Sequence, residues 1–214
     1  MKKLIITMLS YIFHVVSIFY SIGMNQKINT LKVIMYTMWI RNFFGEVGPD
    51  TFFSPSILLQ GKGYRKIHIG SRCSFGSHCV IGSWISHGKN ERYNPEIVIG
   101  DDCSFGEFCH ITAIQGVYIG NGLLTGRFVF IGDNSHGSLS WEEADIPPAR
   151  RTLKSKGKII IGKNVWIGDK ATILSGVTIG DNVIIGANSV VTHDIPSNCI
   201  YGGSTAREIK KLFS

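Results

Sequence analysis

From Ile69 onward an apolar residue recurs every six positions, and most are followed by glycine. The ladder reads Ile69-Gly70, Phe75-Gly76, Ile81-Gly82, then Ile99-Gly100, Phe105-Gly106, Ile111, then Ile119-Gly120, Thr125-Gly126, Ile131-Gly132. A fourth run is Ile161-Gly162, Ile167-Gly168, Ile173, Ile179-Gly180, Ile185-Gly186, Val191. The fifth position of each hexad is also small or apolar: Cys73, Cys79, Cys103, Cys109, Val129, Val165, Ala171, Val177, Val183, Ser189. A helix cannot use this period, because residues six apart rotate around its axis and repeated glycine weakens it. Short strands broken by glycine-permitted turns can use it. If each hexad is one strand and one corner, about eighteen residues close a three-sided coil, and coils stack at ~4.8 Å with the aliphatic side chains turned inward. The pattern therefore predicts an all-β solenoid, a parallel β-helix over 46–200, without fixing its hand.

Residues 1–45 follow another pattern. "KKLIITMLSYIFHVVSIFYSIG" is apolar for about the length of a membrane span. Thr7, Ser10, His14, Ser17 and Ser21 recur at spacings of three and four, which draws one narrow polar stripe along a helix. No small-x-small cleavage site follows, which argues against a signal peptide. Three roles fit this helical segment: a cap on the open end of the solenoid, an interfacial helix or an anchor. Helical capping, joined by the second segment "INTLKVIMYTMWIRNFF" and accompanied by peripheral membrane contact through 1–44, is the favoured expectation.

Composition changes the picture in two places. Four of the five cysteines take the inward fifth position of a hexad, so they read as small buried hydrophobes, and neither a disulfide framework nor a zinc knuckle is indicated. That usage favours a reducing, cytoplasmic setting. The net charge of +7 raises the question of nucleic acid. Much of it, however, sits in Arg150, Arg151, Lys154, Lys156, Lys158 and Lys163, without interleaved aromatics or a recognition motif. That cluster suits an anionic small-molecule substrate, and no nucleic-acid partner is expected.

The beat fails after Ile131. "DNSHG" leads into "GSLSWEEADIPPARRTLKSKG" before the hexads resume at Ile161, so 137–158 read as a loop ejected from the coil. A histidine at a loop base can face a cleft, whereas a side chain inside the coil is packed. His136 is therefore the candidate catalytic base, with a carboxylate among Asp133, Glu142, Glu143 and Asp145 to orient it. His68, His78 and His87 carry no assignment.

The stretch "IGKNVWIGDKATILSGVTIGDNVIIGANSVVTHDIPSNCIYGGSTAREIK" resembles the closing section of the hexapeptide-repeat acyltransferases, especially the maltose, galactoside and polysaccharide O-acetyltransferases. The resemblance covers 65–211. It implies a left-handed β-helix, a homotrimer with active sites between subunits, acetyl-coenzyme A as donor and no metal. By the same resemblance His136 is the catalytic histidine and His110 and Trp166 lie on the substrate side, where Glu142 and Glu143 are expected from their closeness to His136 in the loop. Gly168, Ser175, Ala187, Thr192, His193, Arg207 and Lys210 are expected along coenzyme A, with His193 standing where the family's "TKDIP" carries lysine. The implied reaction is O-acetylation of a sugar or glycan hydroxyl. The alternatives are N-acetylation of an amino sugar, nucleotide sugar or antibiotic, and a non-catalytic scaffold; a zinc hydratase on the same fold lacks a second histidine beside His136 in sequence. Residues 201–214 read as a C-terminal extension containing a short helix.

Overall fold

The computed structural model describes residues 1–88, 91–138 and 140–212; Leu139 of the expected loop, and Phe213 and Ser214 of the C-terminal extension, lie outside the described residues. Three parallel sheets form the sides of a prism. The first face stacks Glu46–Val47, Ile67–Ile69, Ile97–Ile99, Val117–Ile119, Ile159–Ile161 and Thr178–Ile179. The second stacks Phe52–Phe53, Ser74–Phe75, Ser104–Phe105, Leu124–Thr125, Trp166–Ile167, Ile184–Ile185 and Cys199–Gly202. The third stacks Leu58–Gln60, Val80–Ser83, His110–Ala113, Phe130–Gly132, Thr172–Ile173 and Val190–Val191. Each strand pairs with its counterpart one coil away, so like residues meet in register, as in Ile69 with Ile99 and Ile131 with Ile173.

The inward ladders are the core. Ile67, Ile97, Val117 and Ile159 line one of them, and the first coils are held by a column of stacked rings. Phe44, Phe53, Phe75 and Phe105 stack with successive centroid separations of 5.1, 4.9 and 4.7 Å. All five cysteines are free and buried, as the hexad position of four of them suggests.

The corners turn differently from the expectation. The left-handed residue is the fourth of the hexad, as in Arg72, Asp102, Asn164 and Asn182, all with φ between 55° and 58°. The ladder glycine serves another purpose, the close approach of one coil to the next. A Cβ at Gly126 would lie 2.7 Å from the Asp169 amide nitrogen, and one at Gly70 would lie 2.7 Å from the Gly100 carbonyl carbon.

The amino-terminal segment is two helices, α1 (Lys2–Phe19) and α2 (Ile22–Ile40). Only the end of α2 caps the prism. Thr37 and Ile40 are buried, the Thr37 hydroxyl accepts from the Phe53 amide at 3.0 Å, and Phe44 then heads the ring column. No residue of α1 is buried.

At the other end the expected C-terminal helix is a strand. Arg207–Lys211 folds back antiparallel on Cys199–Gly202, pairing Gly202 with Arg207 and Cys199 with Lys211. Five residues are too few for a stable helix, whereas the outer edge of the last coil offers them ready partners for their amides and carbonyls.

Candidate active site

Three of the departures from the coil occur at one corner, between the third and first faces. Residues 84–96 leave after Val80–Ser83, residues 114–116 form a tight corner after His110–Ala113, and residues 133–158 leave after Phe130–Gly132. Asp133 binds the last two together. It is fully buried, and its carboxylate accepts from the backbone amides of Ile114, Gln115 and Gly116 at 2.8, 2.7 and 2.7 Å. Asp133 is thus committed to fastening the loop and does not orient a histidine.

Directly after this anchor, Ser135–His136 pairs antiparallel with Leu153–Lys154, placing His136 opposite Leu153. The ejected loop is therefore a hairpin whose base is ordered by the ladder and whose far part carries two short 3₁₀ turns, Trp141–Glu143 and Pro148–Arg150. Ser175 pins its return, accepting from the Lys156 amide at 2.7 Å. Glu143 is occupied within the loop by the amide and hydroxyl of Ser138, which hold its carboxyl below the usual range. Glu142 and Asp145 make no hydrogen bond to His136, whose imidazole makes none among the described residues.

His136 opens into a cleft of about 340 Å³ along the third face. Its walls come from four successive coils: Gln60, then Trp84, then His110 and Thr112, then Phe130 and Asn134. The Trp84 indole donates to the Thr112 hydroxyl at 3.2 Å, fixing the floor. His87 closes the mouth, its ring 5.6 Å from that of His136 and inclined at 69°. His87 reaches this place on 84–96, an insertion that the hexad count passes over as a gap between Gly82 and Ile99.

The same insertion carries a carboxylate that sequence reasoning missed. Glu91 lies between the two loops. The Thr152 side chain, then the Tyr93 hydroxyl at 2.8 Å, then the nearby His87 hold it below the usual carboxylate range. Its "ERY" context offers the Tyr93 hydroxyl but gives no sign of Thr152, the first of its partners, which comes from the other loop about sixty residues on. On the far side of 91–96 a second cleft of about 440 Å³ is lined by Tyr93, Glu96, Tyr118, Lys66 and Lys158.

His110 enters the first cleft from the coil. Its ring stands edge-on to Phe130 at 5.3 Å, its Nε2 is buried without a partner, and burial depresses its pKa. The native state then takes up this proton less readily than the unfolded chain. Its neutral form contributes fully above the ordinary value of about 6.5, and stability falls as pH drops through that value toward the lower folded pKa. Urea midpoints of the native chain should therefore decline more steeply between about pH 7 and about pH 5 than those of His110→Gln; parallel curves would refute the assignment.

The residues expected along the donor do not all share this corner. Ser175, Thr192 and His193 lie on it, stacked below the loop. Trp166 points outward from the second face beside Leu124, and Gly168 and Ala187 occupy the corner between the second and third faces. Arg207 and Lys210 sit exposed on the terminal strand. Within one chain the two groups face different sides of the prism.

Comparison with known proteins agrees with the architecture. The bacterial transferase hexapeptide family (six repeats) matches residues 158–193. A putative lipopolysaccharide biosynthesis O-acetyl transferase of Escherichia coli (strain K12) is 43% identical over 108 residues, 49% of this chain and 55% of the relative. The galactoside O-acetyltransferase of the same organism is 46% identical over 70 residues, 30% of this chain and 34% of the relative. The chain thus spans about half or less of the curated relatives it matches. Among solved structures, an N-acyltransferase from Bacillus cereus in complex with dTDP and coenzyme A superposes with a TM-score of 0.61 at 22% identity, covering 78% of this chain and 84% of that one. At that identity the likeness speaks for the fold. With its six-residue ladder, stacked coils and a repeat block matched over 158–193, the chain is similar to the hexapeptide-repeat transferases in fold and in that block.

Proposed function

We propose that this protein is an acetyl-coenzyme A-dependent O-acetyltransferase acting on a hydroxyl of a sugar or glycan precursor, built on a left-handed coil. The observation that carries the reading is His136, held by an ordered hairpin at the mouth of a cleft wide enough for a sugar ring. The similarity to a putative lipopolysaccharide biosynthesis O-acetyl transferase supports the substrate class.

In the proposed reaction His136 takes the proton of the acceptor hydroxyl as its oxygen attacks the thioester carbonyl. The tetrahedral intermediate collapses with cleavage of the carbon–sulfur bond, and the proton passes from His136 to the departing thiolate. A hydroxyl needs such a base because it is a weak nucleophile at neutral pH. His87 shields the His136 ring from one side, and Asn134, bonded to the Asp133 carboxylate at 3.1 Å, extends the polar wall of the cleft. Glu91 gives the two loops a shared fastening beside the one that Asp133 supplies to the corner.

The division of the donor residues between two sides of the prism supports a trimer. The loop corner of one subunit would meet Trp166, Gly168 and Ala187 of the next across their boundary, enclosing the pantetheine arm. Trp141, 94% exposed at the outer part of the loop, is suited to contact that neighbour. Arg207 and Lys210 would serve the nucleotide phosphates, and His193 would make a weaker phosphate contact than lysine.

Thermal unfolding with and without acetyl-coenzyme A tests the donor site without knowledge of the acceptor. Ligand at about 100 times its dissociation constant should stabilise the native state by about 2.7 kcal/mol, with the melting temperature rising with ligand concentration. A folded chain whose melting temperature is unmoved at millimolar acetyl-coenzyme A would remove the donor assignment.

A further inference from the structure

We infer that α1 embeds in an anionic phospholipid bilayer and seats the β-helix on the membrane with its helical end toward the lipid. No residue of α1 is buried, and Leu4, Ile5, Leu9, Ile12, Phe13 and Phe19 are among its exposed side chains. Most of the large exposed apolar side chains among the described residues lie in 1–43. A water-facing helix that is apolar around all but one narrow stripe loses stability that a bilayer would restore. Eighteen residues at 1.5 Å each give about 27 Å, close to the ~30 Å hydrocarbon thickness, and α1 alone among the described helices is long and apolar enough to cross a membrane.

Two independent observations name lipid as the occupant. The first is charge. Residues 1–45 hold Lys2, Lys3, Lys27, Lys32 and Arg41 and no aspartate or glutamate. Basic residues flanking an apolar helix match anionic headgroups, whereas a second copy of the same segment would bring cation against cation. The second is the treatment of polar side chains. Thr7 and Ser17 return their hydroxyls to the helix's own carbonyls, Lys3 at 3.0 Å and His14 at 2.7 Å. Self-satisfied hydroxyls of this kind are tolerated in hydrocarbon, where a donor without a partner is costly. At the end of α2, Trp39 lies between Tyr36 and Phe43, with ring centroids 5.5 and 5.0 Å away. Such a cluster suits the headgroup boundary.

The docking has a consequence for the acceptor, which rests on the proposed function. The cleft below His136 runs back along the third face through Thr112 and Trp84 to Gln60 in the first coil. His136 follows the fourth coil, so three coil steps of ~4.8 Å put it about 15 Å from the first. An acceptor carried on a lipid would approach from the helical end and reach the histidine along this groove.

Flotation of the full chain with vesicles of phosphatidylglycerol and phosphatidylethanolamine tests the inference, alongside the double substitution Leu9→Glu/Ile12→Glu, which alters only exposed positions of α1. The native chain should rise with the vesicles, and the variant should remain at the bottom while keeping the acetyl-coenzyme A thermal shift of the native chain. Two results would overturn it: a native chain that stays in the dense fraction, or a variant that floats equally well. A variant that changes oligomeric state without any vesicle binding by the native chain would assign α1 to self-association instead. Flotation without a donor shift in either protein would leave the membrane inference standing and remove the acetyltransferase reading.

Discussion

Replacing His136 with alanine is expected to lower kcat/KM for acetyl transfer by about 10²–10⁴-fold, the usual contribution of a positioned general base, and to leave the melting temperature unchanged. The two halves of this expectation come from different parts of the structure. The imidazole is exposed and its contact is with His87, while the hairpin is held through backbone pairing with Leu153 that alanine retains. Exposed substitutions of this kind stay within about 0.5 kcal/mol. Thiol release followed against a panel of sugar acceptors gives the rate, and the acetyl-coenzyme A thermal shift should survive, since a base acts on the acceptor. A variant that keeps most of its turnover would exclude the assigned role.

Asp133→Ala should do the reverse, costing stability first and activity as a result. Its carboxylate satisfies three backbone amides at the most heavily loaded corner of the prism. Each amide left buried without an acceptor costs about 1–3 kcal/mol, so a loss of at least about 2 kcal/mol is expected from the buried Ile114 and Gly116 amides alone. Asp133→Asn should fall between, because one oxygen can still accept while the amide nitrogen faces other donors. Denaturant midpoints measure the stability, and turnover measured well below the new midpoint should still be reduced, since His136 follows three residues later on the released strand. A variant as stable as the native chain would mean that the loop is fastened elsewhere, with Glu91 and Ser175 the next places to look.

The place of His136, at the loop base beside a cleft, was legible because the ladder fails beside it, and a failing ladder is visible in one dimension. Asp133 is one of four carboxylates that proximity in the chain offers to the histidine; its partners, the amides of Ile114 to Gly116, follow the coil before. His87 and Glu91 were invisible for the same reason, since an insertion of thirteen residues states neither where it folds nor what it meets. The core was transparent, because in-register stacking turns a period in sequence directly into neighbours in space. The terminal strand was misread as a helix since its charges hide the edge it covers.

That terminal strand has a consequence beyond its own coil. Stacked parallel strands in register, repeating about every 4.8 Å, have the geometry of a cross-β fibre. An uncovered last coil would offer the first rung for another molecule's strands. Arg207–Lys211 runs against the others, and its Arg207, Glu208, Lys210 and Lys211 are all exposed. A molecule arriving there meets a reversed, charged edge, which opposes the growth that the repeat invites along its axis.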